Sequence, residues 1–178
     1  MLIGAPPSGA MTPEQQAVHD TIASGPRGSV PVPFFAMLDS PVLCEAIQGV
    51  GEAIRYRTTM SDRLREIAIC AAAAAYGSGY EWNYHDALAV NCGLSPAERA
   101  SVLDGTGAAL PPAEAAIVTY VFAAVRESRA DQTMLATMAT AFGRTAATEV
   151  TAIAGYYPLL ALFLNAGQLD TPLPATPA

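Results

Sequence analysis

The apolar residues of this chain gather in segments framed by helix start and stop signals, and strand signals hardly appear. Thr12-Pro13-Glu14-Gln15 combines an N-cap, a proline at the first helical position and a capping-box glutamine, which predicts a helix to about Ser24, stopped by Gly25-Pro26-Arg27-Gly28. Pro31 and Pro33 predict an extended, turn-rich entry to a second helical region, and Ser40-Pro41 predicts a capped helix to about Arg55. Ser61 predicts the cap of a third helix over Asp62–Tyr76, whose run Ala71–Ala75 lets neighbouring backbones approach closely at strong helix propensity. Gly77-Ser78-Gly79 is expected to break the chain before a helix over Tyr80–Cys92, with Gly93 as its left-handed C-cap. Ser95-Pro96-Ala97-Glu98 opens another helix ending near Gly105. Helices follow at about Pro112–Ser128, Asp131–Phe142 and Thr145–Leu169, the last expected to bend at Pro158, where a backbone donor is lost. The tail TPLPATPA, residues 171–178, is read as a loose, non-helical strap.

With no repeat period and no interdomain linker, this pattern predicts an all-α fold of about seven or eight helices. A chain of 178 residues can form it as a single domain over 1–178, since about 150 residues already hide roughly 70% of their unfolded surface. The long apolar stretch Ala152–Ala166 is interrupted by Tyr156, Tyr157, Pro158 and Asn165 and is shorter than the roughly 20 residues a bilayer requires. It reads as a buried helix, possible material for a subunit interface, and no membrane partner is expected. A formal charge of −7 with scattered arginines argues against a nucleic-acid footprint. An anionic substrate would need a local cation, and Arg55, Arg57, Arg63 and Arg65 stand nearest the core helix, with solvated helix-end arginines as the competing reading. Cys44, Cys70 and Cys92 are odd in number and far apart, which fits neither a disulfide framework nor a zinc site. The start MLIGAPPSGAM has no basic, then apolar, secretory pattern, so a cytoplasmic protein is expected.

The chemistry concentrates in Glu66, Ser78, Glu81 and His85. Glu81 and His85, at i and i+4, must share one helix face. Behind them, Glu66 sits in Leu64-Arg65-Glu66-Ile67-Ala68-Ile69, where apolar neighbours make burial plausible. Two carboxylates and an imidazole, the side chain best suited to exchange protons near neutrality, would form a small acid/base site. Each residue has a plainer reading: a structural histidine, an arginine-paired Glu66, and Glu81 as a first-turn acid favoured by the helix dipole. Ser78 lacks an evident base and reads as a substrate-binding hydroxyl or a helix cap, not a nucleophile. Trp82, Tyr80 and Asn83 shape either a pocket wall or the core, and His19 reads as a surface group.

The stretch 61–99, SDRLREIAICAAAAAYGSGYEWNYHDALAVNCGLSPAER, resembles the core of the carboxymuconolactone decarboxylase family, which includes the alkylhydroperoxidase D branch. That branch follows a helix glutamate with Cys-x-x-Cys and then a histidine. Here the glutamate is Glu66 and the histidine His85, while the cysteine positions fall on Ser78 and Glu81. The flanks TPEQQAVHDTIASGPRG and EVTAIAGYYPLLALFLNAG are similar to the decarboxylase-like branch along nearly the whole chain. The resemblance implies proton relay through Glu66 and His85, with Glu81 as the second acid/base or the group orienting His85. It also implies a homotrimer or homohexamer, which the combination of 52% hydrophobic and only 14% charged residues suits. Hydroperoxide reduction needs a thiolate and a resolving thiol, which Ser78 and Glu81 do not supply. The expected function is therefore a lyase acting, without metal or cofactor, on a small carboxylate, lactone or β-keto acid. His85, Glu66 and Glu81 would be catalytic, with Ser78, Trp82 and Arg65 binding substrate. The alternatives are a peroxide reductase, disfavoured without the dithiol, and a non-catalytic oligomeric binding protein.

Overall fold

A computed structural model describes residue 3 and residues 11–175, so the reading of the first residues as lacking a leader, and the last three residues of the tail, lie outside what it describes. Eight helices and no strand occur among the described residues: α1 Pro13–Ser24, α2 Val32–Phe35, α3 Pro41–Tyr56, α4 Asp62–Tyr76, α5 Gly79–Asn91, α6 Pro96–Leu103, α7 Pro112–Glu127 and α8 Gln132–Ala166. Contacts between them gather into two compact units, one from the residues up to Arg57 with Leu159–Asp170, the other from Thr58–Pro158 with the residues from Thr171 onward.

The first unit is built on α1 and α3. Thr12 and Gln15 form the predicted reciprocal capping box. Val18 and Ile22, one turn apart, bury one side of α1, and Cys44, Ile47 and Ile54 bury the corresponding stripe of α3. Pro31 is extended, as expected, at φ −62° and ψ 149°, and it leads directly into the one-turn helix α2, where Pro33 takes a first-turn position whose donor is unpaired anyway. Ser40 precedes α3 but makes no side-chain cap bond.

The second unit centres on α4, which packs against α5, α6 and α7. Residues 66–74 of α4 are all buried, and Ala71, Ala72 and Ala73 are completely so; their small side chains permit neighbours on every side. Ser61 caps α4 by accepting from the Leu64 N–H, and Gly77 ends it in the left-handed conformation. Arg63, on the first turn of α4, bridges Glu114 of α7 at 2.8 Å and Glu98 of α6 at 2.5 Å, fixing three helix starts together. Glu149 on α8 accepts from the Thr59 and Met60 N–H groups and ties the approach to α4 in the same way.

Two differences from the sequence expectation bear on the site. Gly79 does not break the chain: it is the first residue of α5, and what demands glycine is close approach, since a Cβ there would stand 2.1 Å from the Pro172 carbonyl oxygen. The Gly79 N–H donates to the Thr171 carbonyl at 2.9 Å, so the strap is fastened at its root instead of loose. The expected interruption between the last two helices is real but local. Within Gln132–Ala166 two helical stretches meet at a kink at Gly143, whose φ of 88° and ψ of 158° lie outside helical dihedrals, while Pro158 stays within them. This helix is long and apolar enough by length and composition to cross a membrane, with half of its most apolar window buried inside the protein.

Candidate active site

Two adjacent helices of the second unit place the titratable groups. On α4, the apolar residues flanking Glu66 draw its carboxylate inward, leaving the residue 2% exposed. On α5, Ser78 is the N-cap and accepts from the Glu81 N–H at 3.4 Å. That puts Glu81 in the first turn, where the helix dipole favours a carboxylate, and His85 one turn further on the same face.

The three side chains meet. His85 Nδ1 lies 2.6 Å from Glu66 Oε2, a short buried hydrogen bond, and His85 Nε2 lies 3.8 Å from Glu81 Oε2, within ion-pair range and beyond hydrogen-bond length. Glu66, Glu81 and His85 are 2%, 3% and 2% exposed, so the imidazole is held between two carboxylates beneath the surface. With Nδ1 engaged by Glu66, Nε2 faces the Glu81 carboxylate. A carboxylate bonded to one imidazole nitrogen fixes the tautomer and orientation of the ring. The other oxygen of Glu66, Oε1, has the Arg65 Nε at 3.6 Å, while Arg65 Nη2 bonds Asp62 at 2.7 Å. The guanidinium thus sits between two carboxylates, on the oxygen of Glu66 that His85 does not use.

Of the expected substrate-binding residues, Ser78 is a buried helix cap, and Arg65 stands against Glu66 and Asp62. Trp82, 4% exposed, lines a cleft of about 220 Å³ with Asp86, Arg99, Leu103 and Pro174, a lining that does not include the Glu66–His85–Glu81 cluster. Sequence reasoning missed Tyr157. Its ring, on α8 and 2% exposed, meets the His85 imidazole at 5.1 Å and 90°, edge to face. The one available signal was the pair Tyr156-Tyr157 inside an otherwise aliphatic run.

The thiols are not poised as nucleophiles. Burial pushes Cys70 well above the usual thiol range, with the Glu66 carboxylate adding to it, and burial followed by Glu66 also raises Cys92. In the first unit, burial raises Cys44 to about 11. Among the described residues, no three His, Cys, Asp or Glu side chains are arranged to hold a metal ion.

Against known proteins, residues 41–127, from the start of α3 to the end of α7, match the model described as "Carboxymuconolactone decarboxylase family". Among solved structures, the chain is similar to a cysteine-to-alanine variant of the debrominase Bmp8 in complex with 2,3,4-tribromopyrrole, at 18% identity and a TM-score of 0.71, over 94% of this chain and 89% of that one. It is also similar to apo Bmp8, at 18% identity and a TM-score of 0.68, over 92% and 88%. At that identity the likeness shows a shared fold. No curated protein matches.

Proposed function

We propose that this chain, whose residues 41–127 match the carboxymuconolactone decarboxylase family model, is a lyase using His/Glu acid–base catalysis on a small lactone, β-keto acid or related carboxylate. The observation that carries this reading is the buried Glu66–His85 hydrogen bond with Glu81 on the opposite imidazole nitrogen. In the proposed step, the carbon–carbon bond to the leaving carboxylate breaks, carbon dioxide departs and the electron pair remains on the substrate as an enolate. His85 then delivers the Nε2 proton to that carbon, while Glu66 stabilises the ring through Nδ1. The proton is regained from water, with Glu81 beside Nε2 as relay. Arg65 supplies the cation next to the cluster, and Ser78 holds the α5 turn that presents Glu81.

The debrominase of similar fold is recorded with a brominated pyrrole, in a form where alanine replaces a cysteine. The raised thiols of Cys70 and Cys92 favour proton transfer over thiol chemistry in this chain. The direct test is turnover of a panel of lactone carboxylates and β-keto acids in deuterated water. Carbon dioxide release with one deuterium placed on the former carboxylate-bearing carbon is expected; absence of turnover across the panel, or dehalogenation of bromopyrroles in its place, would overturn the reading.

We also propose a homotrimer or homohexamer. Val42, Leu43 and Val50 are 82%, 47% and 49% exposed on α3, apolar surface that an assembly would cover. Light scattering that returned a stable 18.4 kDa monomer at micromolar concentration would contradict this.

A further inference from the structure

A histidine between two carboxylates has an orientation problem. The last torsion of its side chain is broad and roughly two-fold, so a half turn exchanges which edge of the ring meets which partner. A hydrogen bond at one nitrogen opposes that rotation but leaves the ring free to rock about the bond. For His85 the close bond is Glu66 to Nδ1, at 2.6 Å, while the Glu81 contact at Nε2 is longer, at 3.8 Å.

Two aromatic rings flank the imidazole. Tyr84 lies 5.1 Å away at 69°, but it is the neighbouring residue on the same helix and 47% exposed, so it moves with α5. Tyr157 lies at the same 5.1 Å but at 90°, is 2% exposed, and comes from a different helix, α8. Tyr157 is in turn held edge to face by Tyr156, at 5.6 Å and 82°. Such perpendicular packing falls within the separation of about 4.5–7 Å at which aromatic pairs attract. A buried ring packed perpendicular to the imidazole opposes tilting of the imidazole toward it.

We propose that Tyr157 is a positioning residue for His85: its ring holds the imidazole in the plane that gives Nδ1 to Glu66 and keeps Nε2 toward Glu81. The inference deepens, and rests on, the reading of His85 as the proton-transfer group, but its physical content is a ring orientation that can be measured without any substrate.

The chain has two histidines, so nuclear magnetic resonance of protein labelled with ¹⁵N-histidine resolves the site, with His19→Gln assigning the other signal. In the wild type, one His85 ring form is expected, with an exchange-protected Nδ1 proton and through-space contacts from its ring protons to those of Tyr157. Tyr157→Phe, which preserves the ring, should keep the single form. Tyr157→Leu should broaden or lose the Nδ1 signal through motion of the imidazole, and should lower kcat on a turned-over substrate by on the order of ten- to a hundredfold with KM little changed. A Leu variant that keeps the wild-type His85 signals would overturn the proposal, as would a Phe variant that loses them, because the hydroxyl and not the ring would then be responsible. Should the Leu variant fail to fold, the wild-type contact and the Phe variant still decide the matter: no through-space signal between His85 and Tyr157 refutes it. If the single ring form holds while His85→Ala leaves turnover intact, the ring contact stands and the acid–base reading falls.

Discussion

Replacing Gly79 by alanine should detach the carboxy-terminal strap while leaving the rest of the protein folded. The added Cβ would lie 2.1 Å from the Pro172 oxygen, 2.4 Å from the Thr171 oxygen and 2.5 Å from the Pro172 carbon, all backbone atoms that no side-chain rotation can move aside. Ordinary contact begins near 3.4 Å, so the strap must retreat by about 1 Å or more, and the 2.9 Å bond from the Gly79 N–H to the Thr171 carbonyl is lost with it. Losing one backbone hydrogen bond costs about 0.5 to 1.5 kcal/mol. Alanine at a helical position recovers up to about 1 kcal/mol, less at a helix start, so the two effects nearly cancel. The expected signature is a global unfolding midpoint within a few degrees of wild type, together with rapid hydrogen exchange at residue 79 and early proteolytic cleavage after residue 170. A strap protected as well as in the wild type would refute the reasoning, and so would global unfolding.

Two further outcomes follow from the same structure. The Glu98 carboxyl is held below its usual range by the Ser95 backbone N–H first and by Arg63 next. Its folded pKa is lowered, so its stabilising contribution is present above the unfolded value near 4.5 and lost as pH falls through the folded value. Wild type should therefore be more stable than Glu98→Gln at pH 7, with the gap narrowing below about pH 4.5 in urea titrations, and a gap independent of pH would contradict this. Replacing Cys44, Cys70 and Cys92 together by alanine or serine should preserve catalysis on an identified substrate, after correction for stability lost from the core, and wild type should not reduce hydroperoxides with dithiol donors.

Local signals carried well from sequence to structure, and contacts between distant residues did not. The capping boxes at Thr12/Gln15 and Ser95/Glu98 and the cap at Ser61 lie where the spacing placed them, because a cap is decided within four residues. The shared face of Glu81 and His85 was legible for the same reason. The Glu66–His85 bond was not derivable from spacing, since it joins two helices across 19 residues; family resemblance suggested it and the structure brings the atoms together. Gly79 reads locally as a helix breaker because its partner, the Thr171–Pro172 backbone, is far away in sequence. Tyr157, distant from His85 along the chain, was hidden in an apolar run for the same reason. The break between the last two expected helices falls at Gly143, where the spacing placed it, while Pro158 lies inside the helix without leaving helical dihedrals. Ser40 offered the right residue type for a cap, but its side chain makes no cap bond.

The central claim, that His85 transfers the proton, is tested most directly by the kinetics of His85→Ala on the best substrate from the lactone and β-keto acid panel, with circular dichroism and light scattering confirming that fold and assembly persist. The account predicts a fall in kcat of at least ~10²-fold, the range expected for loss of a general acid or base, with Glu66→Gln falling in parallel. Full activity in a folded His85→Ala protein would contradict it and leave His85 a buried structural histidine.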